Sequence, residues 1–298
     1  MGSDYLDFLI DDACMPAVLD CICGFILGHR SEWDFIELSD TGADSIAVTG
    51  FRENMKSSSM TAHVALSSLC PYVRLPENPD SYLAGLSSKL RQNLRYSLRA
   101  LGRQGDVQFT VVKEPLEVGG AFDDVLRLHR ARFAQRDCRS TFLNSEVAAF
   151  HRAALKALSA AGRTRLHFLE LGGKRVAALY AFSTGRKVFF YQSGLDSEYS
   201  RFSVGTLLTS FAIQTAIRTG HAEFDFLRGN EPYKLLWTNS SRQLYTVRFF
   251  DRRGRSRIAC ATHQIATLLR QWKHRLRYAK TGAPSPEPRN IHGNESLT

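Results

Sequence analysis

Three apolar runs, Arg165 to Leu171, Arg175 to Ser183 and Lys187 to Ser193, follow one another in close succession, separated by Gly172-Gly173 and Thr184-Gly185 with one basic residue after each. Doublets of that composition suit hairpin turns, because a two-residue turn between strands needs positive φ and glycine supplies it at no steric cost. The middle of the chain is thereby committed to three consecutive antiparallel strands. Apolar spacing on either side supplies the rest. A strand at Val107 to Val112, a helix from about Ala121 to Gln135 and another from Ser145 to Ala161 come before them. A long apolar helix from about Val204 to Thr219, a strand at Glu223 to Leu227, a short helix and a last strand at Leu244 to Phe250 come after.

Further upstream, Pro16 to Gly28 reads as a helix opened by proline and closed by glycine, and Trp33 to Leu38 as a strand. Leu83, Leu86, Leu90, Leu94, Leu98 and Leu101 form a stripe at helical spacing that stops at Gly102 and Gly105. On the other side of that helix Arg91, Arg95, Arg99 and Arg103 recur every fourth residue and make a cationic ridge. Such a ridge is either a solvated face or a contact for an anionic donor or acceptor, with Arg95 and Arg99 as the residues that reach it. No aromatics interleave with it, which disfavours stacking on nucleic-acid bases.

The densest polar cluster is EFDFLRGNEPYKLLW, from Glu223 to Trp237. Its first residues alternate charged with apolar side chains as a half-buried strand does, and Arg228-Gly229-Asn230 breaks the pattern. Asp225, Arg228, Glu231, Tyr233 and Lys234 would then gather at one sheet edge, although surface loops are often equally polar. Taken with FFYQSGLDSEYSRFSVGTLL from Phe189 to Leu208, this run resembles the CelD-type, FemAB-like branch of the GNAT acyltransferases. LSSKLRQNLRYSLRAL from Leu86 to Leu101 is similar to that family's basic helix, and LHRARF at Leu128 to Phe133 resembles the helix that follows it. The motifs together cover about Asp4 to Phe250.

The resemblance implies a GNAT-like α/β (α+β) fold, a mixed and mostly antiparallel sheet flanked by helices. Residues 105–251 would be a complete module and residues 83–104 a basic linking helix. Residues 1–82 would be a partial first half of a FemAB-like pair, in which DYLDFL at Asp4 to Leu9 resembles an interior segment and the front is missing.

The resemblance also implies acyl transfer from a thioester, usually acyl-CoA such as acetyl-CoA, to an amine. Tyr191, Gln192 and Ser193 would offer the donor a strand edge. Ser203, Val204, Gly205 and Thr206 would offer its pyrophosphate the amides of a helix start. RFSVGT from Arg201 to Thr206 lacks the family's usual phosphate cradle, so Gly205 serves either the donor or close helix packing, and a donor other than CoA stays open. The amine must attack in its neutral form, and Asp225 and Glu231 are the nearest carboxylates to act as base. Tyr191 and Tyr233 are candidates to protonate the departing thiolate. His129, on the stripe of Phe122, Val125, Leu126 and Phe133, is either a hydrogen-bonded core histidine or part of the acceptor site. Arg228, Lys234 and Trp237 join Arg95 and Arg99 as substrate-binding candidates.

Composition narrows the partners. The net charge of +10 is mainly a property of the end of the chain, where residues 252–298 hold ten Lys and Arg against two Glu, leaving +2 for the first 251 residues. Within 252–280, Ile258, Ile265, Leu268, Leu269, Trp272 and Leu276 fall at near-helical spacing among arginines and lysines. This basic amphipathic helix would dock on the body, on an acidic partner or on anionic lipid, and the Pro- and Ser-rich residues 281–298 should be disordered. No window has the apolar length of a membrane span, and the acidic start MGSDYLDFLIDD is not a secretory signal, so a cytoplasmic location is expected. Six cysteines are too sparse for a disulfide scaffold, Cys21-Ile22-Cys23 has no second pair at metal spacing, and no metal is expected. The functional expectation is an N-acyltransferase acting on a small-molecule or saccharide amine, linked to polysaccharide production through the resemblance. Aminoacyl transfer from charged tRNA and a GNAT fold kept only for binding remain the alternatives.

Overall fold

The computed structural model describes residues 3–56, 60–134, 141–252 and 254–265. In chain order its elements are α1 (Met15–Gly28), β1 (Ile36–Gly42), α2 (Gly50–Lys56), β2 (Met60–Arg74), α3 (Pro79–Gly85), α4 (Ser88–Gly102), β3 (Val107–Val112) and α5 (Pro115–Ala134). There follow α6 (Ser145–Ala160), β4 (Thr164–Leu171), β5 (Lys174–Thr184), β6 (Lys187–Leu195), α7 (Val204–Arg218), β7 (Glu223–Asp225) and β8 (Ser241–Asp251). They fall into two compact units, one of Cys70–Ser241 and one of Gly2–Leu69 with Arg242–Thr298.

In the Cys70–Ser241 unit the strands lie in the order β2-β7-β6-β5-β4-β3. Strands β3 to β6 pair antiparallel; Gly172-Gly173 turns between β4 and β5 as expected, and Gly185-Arg186, one residue later than expected, between β5 and β6, with Gly173 and Gly185 at φ +79° and +53°. Strand β7 runs parallel to β6 and antiparallel to the end of β2. The parallel pair needs a crossover, which α7 supplies. Strand alternation sends Leu169, Leu179 and Phe190 to one face, where α4 and α7 cover them. Leu166, Phe168 and Tyr180 go to the other, under α5 and α6. Helix α7 buries Leu207, Leu208, Ile213 and Ile217 and so reads as apolar nearly all round.

In the other unit β1 pairs antiparallel with β8, from Ile36 opposite Phe249 to Gly42 opposite Leu244. Leu19 and Cys23 of α1 and Phe51 and Met55 of α2 pack there against Val247 and Phe249 of β8.

Several expectations shift. The module does not run from 105 to 251: α3 and α4 share the core of α7 through Tyr82, Leu90 and Leu101, whereas β8 belongs with α1 and α2. The leucine stripe is two helices, because Ser87 ends the first stretch and caps the second, its Oγ accepting from Leu90 N at 3.3 Å. Trp33 precedes its strand and donates from Nε1 to Ile26 O at the end of α1. Residues 232–237 form turns in place of the short helix, and β7 ends at Asp225. Strand β2 had no counterpart in the sequence expectations. Residues 254–265 are helical with Ile258 and Ile265 exposed. Leu268, Leu269, Trp272 and Leu276, and the tail 281–298, lie outside the described residues. No helix among the described residues is long and apolar enough to cross a membrane.

Candidate active site

Strand β6 is paired on one side with β5 along its length, but on the other β7 accompanies it only from Lys187 to Phe189. The cause lies in β7. Beyond Asp225 the chain turns away: Phe226 N donates to Pro71 O at 2.9 Å, and Leu227 adopts φ +57°. The Asp225 carboxylate holds that turn by accepting from Leu227 N at 2.7 Å. Among the described residues no strand pairs with the edge of β6 from Phe190 onward, so its backbone groups face a cleft.

A bulge at Tyr191 decides what points into this cleft. Ala181 pairs with Phe190 and Tyr180 with Gln192, so Tyr191 is the extra residue and the alternation changes phase there. Tyr191 and Gln192 therefore both face α5 and α6, and Ser193 and Leu195 turn to the α7 side. Gly194 falls under α5, where a Cβ would lie 2.2 Å from His129 N.

Across the cleft stands the start of α7. Its N-cap, Ser203, sits in the left-handed region at φ +54° and makes no side-chain cap; Thr206 N and Leu207 N donate to Ser203 O at 2.9 and 3.0 Å, which leaves Val204 N and Gly205 N without an acceptor among the described residues. A Cβ at Gly205 would meet only Leu195 Cδ2 at 3.5 Å, which is ordinary contact, so close helix packing does not require the glycine. Between strand edge and helix start lies a cavity of about 290 Å³. Of the sequence-derived candidates, Ser193, Ser203, Val204, Gly205, Thr206, Tyr233 and Trp237 line it. Arg132 enters from α5: its guanidinium donates to Ser193 O at 3.3 Å and Ser193 Oγ at 2.5 Å and lies 6.0 Å from the Tyr233 ring centre. Among the described residues no carboxylate lines the cavity, and Arg132 is the one charged group that does.

The other candidates are elsewhere. Tyr191 Oη meets His151 Nε2 at 3.1 Å on the face away from α7, where alternation after Phe190 puts it. Gln192 Oε1 sits 3.1 Å from His129 Nε2. His129 is fully buried, stacked on Phe133 and edge-on to Phe142, and burial lowers its pKa to about 4. It is a neutral core histidine that steadies β6 through Gln192, and the acceptor-site alternative does not fit its burial. Asp225 is buried at the Leu227 turn and is not part of the cavity wall, so it is not positioned as a base there. Lys234, expected to bind substrate, is spent internally. Its Nζ donates to the carbonyls of Leu227, Arg228 and Gly229 at 3.3, 2.7 and 3.4 Å and pairs with Glu231 at 2.9 Å. The carbonyls around the Leu227 turn converge on one cation because that segment has no ladder to satisfy them. Glu231, 54% exposed, completes the clamp, and the Arg228 side chain is exposed. Arg99 is exposed and donates to Arg95 O at 3.3 Å, while Arg95 lines a separate cavity on α4. Among the described residues no group of three or more His, Cys, Asp or Glu is placed to hold a metal ion.

Arg132 and Gly194 were missed. Arg132 lies in LHRARF three residues after His129, so both project from the same face of α5, and that spacing was the available signal.

Residues 88–235 match the family model described as an acetyltransferase (GNAT) domain, a span that holds the cleft and all of its lining except Trp237. The chain carries a GNAT acyltransferase domain. Solved structures similar to it include that of FemX, at 10% identity with a TM-score of 0.58 over 80% of this chain and 78% of that one. The C-terminal domain of a putative lysylphosphatidylglycerol synthetase from Agrobacterium fabrum matches at 15% identity and a TM-score of 0.54, over 84% and 77%. L-PGS from Bacillus licheniformis matches at 11% and 0.53, over 82% and 75%. At these identities what is shared is the fold. No curated protein matches the sequence.

Proposed function

We propose that the GNAT domain transfers an acyl group from a thioester donor, acetyl-CoA or a longer acyl-CoA, to an amine, with the donor held between β6 and α7. The observation that carries this is the edge of β6 from Phe190 onward, beside which no strand lies among the described residues, facing across the cavity the start of α7, where Ser203 makes no side-chain cap. The strand edge offers amides and carbonyls to an extended, amide-bearing donor arm. The helix start offers N–H groups and a positive dipole end to an anion. In the reaction the amine nitrogen bonds to the thioester carbonyl carbon, the C–S bond breaks, the nitrogen loses a proton and the sulfur gains one.

Tyr233 is the phenol that reaches the cavity and is assigned as proton donor to the departing sulfur. Arg132 stabilises negative charge there. A cation near the acceptor also disfavours its ammonium form, which favours neutral amine where no carboxylate lines the wall among the described residues. The acceptor class, an amine on a small molecule or saccharide precursor, comes from the CelD-type resemblance. A second reading, aminoacyl transfer, is favoured by the match with a putative lysylphosphatidylglycerol synthetase over most of both chains.

A thermal-shift screen separates the two. A donor that binds only the folded chain adds about 2.7 kcal/mol at a hundredfold excess over its Kd. Acetyl-CoA or a longer acyl-CoA should raise the melting temperature, and thiol release should then depend on an added amine. A rise with aminoacyl-tRNA alone would favour the second reading, and no rise with either would leave a fold kept for binding.

A further inference from the structure

Helices α4 and α7 part over strand β3 and leave a second cavity, of about 450 Å³. It shares no lining residue with the donor cleft. Phe109 of β3 and Phe211 of α7 form an aromatic surface in it, stacked with ring centres 4.8 Å apart. Leu94 and Leu98 of α4 add aliphatic wall, and Leu98 stays 43% exposed. Exposed leucine beside stacked phenylalanine rings is apolar surface left in water, which favours an occupant with a hydrocarbon part.

The rim has one sign of charge. Arg91, Arg95 and Arg218 line the cavity, and among the described residues none of them pairs with a carboxylate. Arg91 donates to Ala84 O and Ser88 Oγ, and Arg218 to Gln214 Oε1. The Arg95 guanidinium has no partner among the described residues. Arg91 and Arg95 are one helical turn apart on α4, so their head groups can converge on a single anion. A concave apolar trough under a rim of arginines complements a molecule with one hydrocarbon chain and one anionic head. A bilayer or a protein helix would need a broad convex contact instead.

We propose that this groove binds a free fatty acid, its chain along Leu94, Leu98, Phe109 and Phe211 and its carboxylate at Arg95, flanked by Arg91 and Arg218. The assignment is independent of the donor cleft and stands whether or not the chain transfers acyl groups there.

Calorimetric titration of the full chain with dodecanoate, below the concentration at which it forms micelles, tests this. One molecule should bind per chain, octanoate should bind roughly a hundredfold more weakly for its four missing methylenes, and dodecyltrimethylammonium should not bind. Arg95→Glu should weaken dodecanoate by about tenfold or more while leaving the ligand-free melting temperature unchanged. Leu98→Asp, at a part-exposed position that should tolerate it, should do the same. Equal binding of the cationic amphiphile, or dodecanoate affinity unchanged in both variants, would overturn the proposal. So would binding only to anionic phosphatidylglycerol vesicles with none to monomeric dodecanoate.

Discussion

The Cβ that Gly194 lacks would lie 2.2 Å from the backbone nitrogen of His129 and 2.4 Å from the carbonyl carbon of Leu128. Helix α5 rests main chain to main chain on β6 at this point, and neither backbone can give way as a side chain could. Gly194→Ala should therefore lower the unfolding free energy by about 3 kcal/mol or more, read from urea denaturation. A variant as stable as the parent would mean that α5 is free to lift from the strand.

Gly205 should behave in the opposite way. An added methyl finds only Leu195 at ordinary contact, and replacing glycine inside a helix gains up to about 1 kcal/mol. Gly205→Ala should melt no lower than the parent, and the bulkier Gly205→Val should weaken acetyl-CoA binding without unfolding the chain. Donor affinity unchanged in a folded Gly205→Val protein would remove the helix start from the donor site.

Lys234→Met should destabilise the fold by about 2–4 kcal/mol, because it leaves the carbonyls of Leu227, Arg228 and Gly229 without their shared donor. Lys234→Arg should not restore it, since a planar guanidinium cannot occupy the same converging geometry. If Lys234→Met keeps its stability and only raises KM, the lysine belongs to substrate after all.

Burial sets a pH dependence. It holds His129 at about 4, reinforced by Arg132 and Arg130, and His167 at about 3, reinforced by Arg165. Unfolded histidine titrates near ~6.5. Below that value the unfolded chain binds protons that the folded chain refuses. The stability from these rings is thus complete above ~6.5 and is lost as pH falls toward about 4, at up to ~1.4 kcal/mol per pH unit for each ring. Urea midpoints between about pH 7 and pH 5 should fall accordingly, and His129→Gln should flatten the slope. An unchanged slope would mean that His129 is not held neutral.

At the donor cleft, Tyr233→Phe should lower kcat about a hundredfold with little change in KM, the pattern of a group that acts mainly in the transition state. Asp225→Asn should act mainly on stability, since it weakens the acceptor of Leu227 N. A fall in kcat without a loss of stability in Asp225→Asn would restore that residue as a base.

What could be read ahead of the structure followed from local chemistry. The meander was legible because Gly172-Gly173 and Thr184-Gly185 state their turns to within one residue, and α7 because its apolar run is long. Strand β2 was not, since Pro71 interrupts its pattern; Pro71 is tolerated because its carbonyl, accepting from Phe226 N, is the group used there. The polar run at 225–234 does not gather into one pocket: Tyr233 reaches the cavity, while Asp225 and Lys234 are tied to the Leu227 turn. A carboxylate that anchors a turn and a lysine that gathers carbonyls look, in sequence, the same as a base and a substrate cation. Arg132 escaped notice because an arginine on a helix ordinarily reads as solvated surface.

The extra residue at Tyr191 has a consequence for how this chain tolerates change in length. It has no partner on β5, and Gln192 stands opposite Tyr180 next to Phe190 opposite Ala181. Deleting Tyr191 would therefore close the bulge and leave Gln192, Ser193 and Gly194 with the same partners and on the same faces, at the loss of the contact with His151. Insertions at the Gly185-Arg186 tip likewise add length without altering that pairing. The cleft is thus specified by which β5 residues Ser193 and Gly194 stand opposite, and homologues should vary in turn length, and keep or lose the extra residue, while holding that pairing fixed.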